Sequence, residues 1–333
     1  MRRASLAALV LLAALPLRAL PLGAQTHVLI VSGLGGETRY SARFRALSLR
    51  LSGALHERFG IPDADIVWLG EDSARAAPRY AGQSTKANVE RAVEGVAARA
   101  KAGAQIVFVL IGHGAGEGAD SRLSIPGPDL TAADFERLLA RFTAQRLAFV
   151  NLTSASGDML GQLSGADRVV ITATKTALER NESHFGEFFV DALAKDVADT
   201  DKDGRVSLFE AFRYAAAETK RHYETEGHLQ SEHAQLDDDG DKQGTGEPTG
   251  RGGDGMLARR FFLDVGRYTA RAALGDPRLA ALYADRFALE DQLDALRRRK
   301  AQLTAEAYDD ELERLLVALA RKSREIRALE GRT

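Results

Sequence analysis

Short apolar runs alternate with amphipathic stretches from residue 26 to about residue 200, a pattern that predicts strands interleaved with helices. His27 to Ser32 is the first strand-like run, followed by a Gly33-Leu34-Gly35-Gly36 turn and a helix reaching about His56. Asp65 to Leu69 is the second strand. Between Lys86 and Lys101, Val89, Ala92, Val93 and Val96 share one helical face. Ala104 to Ile111 is the most apolar run, as expected of a central strand covered on both faces. Thr131 and Asp134 have the spacing of a capping box, opening a helix that carries Phe135, Leu138 and Leu139. Arg146 to Asn151 and Arg168 to Thr172 are the fourth and fifth strands, and His184 to Val197 is a further helix. This order predicts a three-layer α/β fold with a mostly parallel sheet.

Two later segments break the rhythm. Asp237 to Gly255 holds no apolar residue and seven glycines, so it has little surface to bury against its ordering entropy and reads as a mobile loop. After Pro277, Leu282, Leu289, Leu296 and Leu303 recur every seven residues, with Leu293 between them. Tyr308, Leu312, Leu315, Leu316, Leu319, Ile326 and Leu329 continue the stripe beyond a break near Thr304. Residues 275–330 therefore read as a helical hairpin or short coiled coil, packed on its own chain or pairing with a partner or a second copy.

The N-terminus reads as a secretory signal peptide. Met1 to Arg3 is basic, Ala4 to Leu22 is rich in Ala and Leu, and Gly23-Ala24 offers small residues for cleavage. Pro16, Arg18 and Pro21 interrupt the run and weigh against a membrane anchor. Residues 1–24 are thus assigned to the signal and 25–265 to the α/β domain, which is expected to be secreted or periplasmic with no stable membrane span after cleavage.

Composition narrows the chemistry. The 333-residue chain is 28% charged with a net charge of −2, which gives no electrostatic case for nucleic acid. It contains no cysteine, so disulfides, thiolate catalysis and Cys-ligated zinc are excluded. Gly112-His113-Gly114 follows the most apolar strand, placing an imidazole between two residues that let a substrate backbone approach. Thr153-Ser154-Ala155-Ser156-Gly157 follows the fourth strand. A base on the first turn and a nucleophile on the second would form a hydrolase-type pair. Leu152 stands where a Gly-x-Ser-x-Gly elbow would need its first glycine, which disfavours an α/β-hydrolase.

These strand-end turns, followed by Val169 to Ala173, resemble the caspase-like fold and, within it, the legumain-type C13 peptidases and their bacterial relatives. Gly33 to Glu37 with Tyr40, Gly127 to Leu130, and Phe188 after Gly186 also fit that family. The resemblance covers roughly residues 26 to 240. It implies that His113 matches the catalytic histidine, that the Gly114 amide helps form an oxyanion hole, and that Ser154 stands at the nucleophilic cysteine. Arg39 and Arg43 lie near the family's basic S1-pocket positions but displaced from them. A thiol of pKa about 8.5 yields its proton to a modest base, whereas a serine usually needs a histidine held by a carboxylate. Two readings follow. One is a non-canonical or inactive peptidase that binds a peptide or protein segment in its cleft. The other is a serine endopeptidase using Ser154 and His113, with Ser156 as the fallback nucleophile.

A separate signal spans Asp199 to Glu210. Asp199, Asp201 and Asp203 occupy loop positions one, three and five of an EF-hand, with Gly204 at six, Ser207 at nine and Glu210 at twelve. The Arg205 carbonyl would supply position seven. The expected ligand is a structural Ca2+, held by an unpaired EF-hand-like loop. His222, His228 and His233, beside Glu224, Glu226 and Glu232, match no tight zinc spacing and read as a solvated helix end.

Overall fold

The computed structural model describes residues 25–71, 76–200, 205–250, 252–263 and 277–329. The assigned signal, 1–24, lies outside these, as do Asp201 and Asp203 of the EF-hand-like loop.

The chain forms a mixed α/β structure around a mostly parallel seven-stranded sheet. In order come β1 (Thr26–Ser32), α1 (Thr38–Glu57), β2 (Ile66–Gly70), β3 (Tyr80–Gln83), α2 (Lys86–Arg99) and β4 (Gln105–Ile111). Three two-residue strands follow: β5 (Gly114–Ala115), β6 (Arg122–Leu123) and β7 (Leu130–Thr131). Then come α3 (Ala132–Leu139), β8 (Arg146–Asn151), α4 (Leu160–Leu163), β9 (Arg168–Thr172), α5 (Phe185–Ala194), α6 (Leu208–Thr225) and β10 (Gln235–Asp237). The large sheet runs β10-β9-β8-β4-β1-β2-β3, and β10 alone pairs antiparallel. The short strands make a separate three-stranded sheet.

Strand periodicity divides the core. Val28, Ile30, Val107, Val109, Val150 and Ile171 point to one face, where Leu51 and Leu55 of α1, Phe185 and Phe189 of α5, and Phe212 of α6 cover them. Their neighbours Leu29, Val31, Phe108, Leu110, Phe149 and Val170 point to the other face, beneath Val89 and Val93 of α2 and Phe135 and Leu139 of α3. Successive residues alternate sides, so strands apolar at every position are what two helical layers require. The three-layer α/β expectation holds at this level. Thr131 and Asp134 form the expected capping box, each side chain bonding the other's backbone N–H.

Described residues of the Gly/Asp-rich stretch make specific hydrogen bonds. Asp237 closes β10 against Val170 of β9, and Leu236 exchanges two 2.9 Å hydrogen bonds with Thr245. Buried Asp238 accepts from the N–H groups of Gly255 at 2.8 Å and Ala258 at 2.7 Å. Carboxylates and backbone amides supply here the order that apolar burial could not.

The helices Pro277–Arg298 and Ala305–Leu329 pack together as a hairpin. Tyr283 meets Ile326 at one end, and Leu293 and Leu296 meet Leu315 nearer the turn. Leu316, expected on the stripe, is instead exposed at 44% because it lies one residue past the seam position of Leu315, and Leu329, at the last position of its helix, is exposed at 43%. No helix among the described residues is long and apolar enough to cross a membrane.

Candidate active-site cleft

Adjacent strands bring the two candidate turns together. β4 and β8 run parallel in register through Leu110 opposite Asn151, and Leu152 N–H donates to the Leu110 carbonyl at 2.9 Å. His113 and Ser154 then leave the sheet on neighbouring strands, at the carboxyl end where α/β sheets gather function. Both line one small cavity of about 20 Å3, with Tyr40, Arg43, Phe44 and Leu47 of α1, and Glu182, Ser183 and Gly186 before and within α5. That volume holds about one water.

The glycines beside His113 are explained by packing. Gly112 has φ +154, and a Cβ there would lie 3.2 Å from the Gly33 nitrogen. A Cβ on Gly114 would lie 2.2 Å from the Ser154 carbonyl oxygen, closer than real contacts permit. The two turns are therefore in backbone contact.

The His113 ring stands edge-on to Tyr40, with centroids 4.7 Å apart, and to Phe44 at 5.0 Å. Burial lowers its pKa, opposed by a backbone hydrogen bond at Gly35, and the nearby Arg43 charge pushes the same way as burial. Among the described residues, no carboxylate lies within ion-pair range of the ring and no hydrogen bond joins it to Ser154 Oγ. Glu117 pairs with Arg180 at 2.7 Å instead of turning to the ring. The imidazole is thus an aromatic-caged group whose charged form burial disfavours, with no acid among the described residues placed to orient it as a serine-activating base.

The nucleophile turn sorts its hydroxyls. Ser156 Oγ accepts from Thr174 N–H at 3.2 Å and lies 3.1 Å from Thr174 Oγ1, and Ser156 is buried. It serves the loop rather than the cleft. Ser154 faces the cavity, followed by Ala155 at φ +50, a left-handed conformation costly for a residue with a Cβ. Asn151 Oδ1 anchors the turn, accepting from Thr153 N–H at 3.1 Å and Thr153 Oγ1 at 2.7 Å. Asp158 ties two flanking loops, accepting from Gly118 N–H at 2.7 Å and Ala177 N–H at 3.0 Å.

Arg39 and Arg43 separate. Arg39 is exposed over Tyr40 and pairs with Glu37 at 3.0 Å. Arg43 enters the cleft, where it bonds Glu187 at 2.9 Å, the Ser183 carbonyl at 2.8 Å, and Glu182. Spacing alone does not reveal this cluster, because its partners lie 139 to 144 residues away in sequence.

The EF-hand-like loop lies between α5 and α6, as the flanking helical patterns require. Glu210 Oε1 accepts from Thr200 N–H and Oγ1, both at 3.0 Å, and Oε2 accepts from Ser207 N–H at 3.0 Å and Oγ at 2.9 Å. Its carboxylate therefore faces back across the loop, the direction a closing glutamate must take, while protein donors satisfy both oxygens. Asp199 enters the loop, and buried Arg205 stacks on Phe262 at 3.8 Å as the chain leaves it. Among the described residues, the carboxylate of Glu210 supplies the donor type a hard cation takes, here held by Thr200 and Ser207.

The histidine-rich stretch resolves into separate roles. His233 Nδ1 lies 2.6 Å from Glu179, while His222 packs against His184 at 4.3 Å. Glu232, expected to be solvated, is buried. It accepts from Ser183 Oγ at 2.6 Å and from the N–H groups of His184 at 2.7 Å and Phe185 at 3.2 Å, capping α5.

No protein-family model matches the chain, and no curated protein matches it.

Proposed function

We propose that the chain is an exported caspase-like, C13-peptidase-related protein whose cleft binds a peptide or protein segment without cleaving it. The observation that carries this reading is the meeting of His113 and Ser154 in one cavity, with no carboxylate within ion-pair range of the imidazole among the described residues. In this reading the cleft keeps the place of a peptidase dyad while its serine lacks an activated base. A hydroxyl needs that base far more than a thiol does. The mostly parallel sheet, with both turns at the ends of adjacent strands, supports the family resemblance.

The alternative is a serine endopeptidase in which Ser154 attacks, His113 takes its proton, and the amides of Gly114 and Ser154 receive the oxyanion. The strained turn at Ala155 favours this reading, since such backbone is often kept at reacting centres. A fluorophosphonate probe separates the two. The binding reading expects no labelling of the wild type, and expects peptidase activity to appear in Ser154→Cys. Labelling that disappears in Ser154→Ala would refute it in favour of the enzyme.

Calcium at Asp199, Asp201, Asp203, Ser207, Glu210 and the Arg205 carbonyl is proposed as a structural ion. The C-terminal hairpin is proposed as the surface for a protein partner or a second copy. Secretion or periplasmic residence completes the proposal and rests on the N-terminal sequence.

A further inference from the structure

Asp237, Asp239 and Asp254 each place a carboxylate oxygen within 4.8 Å of the others. Asp237 is fully buried at the end of β10. Its Oδ1 accepts from Gly240 N–H at 3.1 Å, whereas its Oδ2 is buried with no hydrogen-bond partner. A carboxylate oxygen shut away from water and from every donor is costly unless a cation meets it. No ion pair reaches Asp237, Asp238, Asp239 or Asp254 among the described residues.

We propose that Asp237, Asp239 and Asp254 form a calcium site, distinct from the EF-hand-like loop, that ties the end of β10 to the turn at residues 252–255. The framework is built by the intervening acid. Asp238 N–H donates to Asp254 Oδ1 at 3.1 Å, and the Asp238 carboxylate takes the N–H groups of Gly255 and Ala258. Asp238 is thereby committed to holding the two segments together, leaving its neighbours to face the ion.

The donor set selects the ion. An all-oxygen site suits a hard cation, and neither sulfur nor imidazole joins it among the described residues. Three carboxylates from two segments, from buried Asp237 to exposed Asp239, leave room for waters and irregular geometry. Ca2+ accepts such geometry, while Mg2+ requires a near-ideal octahedron and commonly takes one or two carboxylates. Gly246 to Thr249 lie between the ligand segments and wall a cleft of about 750 Å3 that Lys175, Arg213 and His233 also line. Binding would therefore hold one side of that cleft in place.

Calcium titration of the full chain by calorimetry tests the site, with the double variant Asp201→Asn/Asp203→Asn removing the EF-hand-like contribution. That variant should still bind one calcium, with Kd of about 10⁻⁴ M as in extracellular modules, and bind magnesium at least tenfold more weakly. Adding Asp254→Asn, or separately the exposed Asp239→Asn, should abolish the remaining heat while the circular dichroism spectrum is unchanged. At tenfold excess over Kd, calcium should slow tryptic cleavage after Lys242 by about tenfold, and Asp254→Asn should remove the protection. The proposal is overturned if the Asp201/Asp203 variant binds no calcium, if magnesium binds as tightly, or if both added substitutions leave the isotherm intact. A wild type that binds no more calcium than the Asp201/Asp203 variant would refute the EF-hand reading and leave this one standing.

Discussion

Replacing Gly114 with alanine tests whether the two cleft turns touch. The added methyl carbon would sit 2.2 Å from the Ser154 carbonyl oxygen and 2.8 Å from Thr153 Oγ1. Neither is the far end of a flexible side chain. Register pairing through Leu110 and Asn151 fixes the strands beneath, so the turns themselves must separate, by about 1 Å to reach ordinary contact. Overpacking of this kind costs about 1–3 kcal/mol. At about 2–4 °C per kcal/mol for a domain of this size, the melting temperature should fall by about 2–12 °C. Gly95→Ala is the control. Its Cβ meets only the tip of Arg99, at 3.6 Å, on the exposed side of α2. Removing a helical glycine there should stabilise by about 1 kcal/mol. Thermal denaturation followed by circular dichroism measures both variants. A Gly114→Ala protein melting within about a degree of wild type, with Gly95→Ala shifted upward as expected, would refute the apposition of His113 and Ser154.

Further expectations concern the surrounding supports. Burial lowers the His113 pKa below its usual 6.5, so the unfolded chain binds this proton first as pH falls. The stability of wild type relative to His113→Gln should therefore decline below pH 6.5 and level off beneath the folded-state pKa; urea midpoints giving a constant difference from pH 7.5 to 5 would contradict this. Glu232→Ala should cost about 2–4 kcal/mol, because it strips acceptors from two buried-end N–H groups of α5 and from Ser183. A chemical-denaturation loss below about 0.5 kcal/mol would place that carboxylate in solvent. Leu296, fully buried in the hairpin, should lose about 2–5 kcal/mol of local stability on change to alanine, read by hydrogen exchange in the C-terminal helices.

The central strands were legible because two helical layers demand unbroken apolar runs, as at Ile106 to Ile111. The meeting of His113 and Ser154 was legible for a related reason: each turn directly follows a strand of the same parallel sheet. Other elements left no such trace. β3 reads Tyr-Ala-Gly-Gln and β10 only Gln-Leu-Asp, too short and too polar for a period to register. The two-residue strands after His113 depend on tertiary pairing. The cleft's Arg43, Glu182 and Glu187 cluster, and the aromatic cage of Tyr40 and Phe44, arise where α1 crosses the strand ends and approaches α5. Glu232 and Asp238 misled the reading in the same way. Burial preference assigns a carboxylate to solvent, yet here each gathers backbone N–H groups that would otherwise lack partners.

The cleft also separates shape from reactivity in physical terms. Asn151 Oδ1 and Thr174 Oγ1 accept the N–H groups that fix the serine turn, Asp158 accepts from the flanking loop at Ala177, and none of these bonds depends on the side chain at position 154. The Tyr40 and Phe44 rings hold the imidazole whether or not a nucleophile faces it. Exchanging Ser154 oxygen for sulfur therefore leaves these supports in place while changing the acidity of the facing group. A thiol of pKa about 8.5 is already a few per cent thiolate at pH 7, so a neutral imidazole has little left to supply. A hydroxyl starts essentially fully protonated, and the imidazolium formed by deprotonating it would have no carboxylate in ion-pair range among the described residues, the pull of Glu37 being opposed by Arg43. One scaffold can thus be competent for a cysteine and idle with a serine. The Ser154→Cys variant tests that distinction because it changes the acidity without requiring the cleft to be rebuilt.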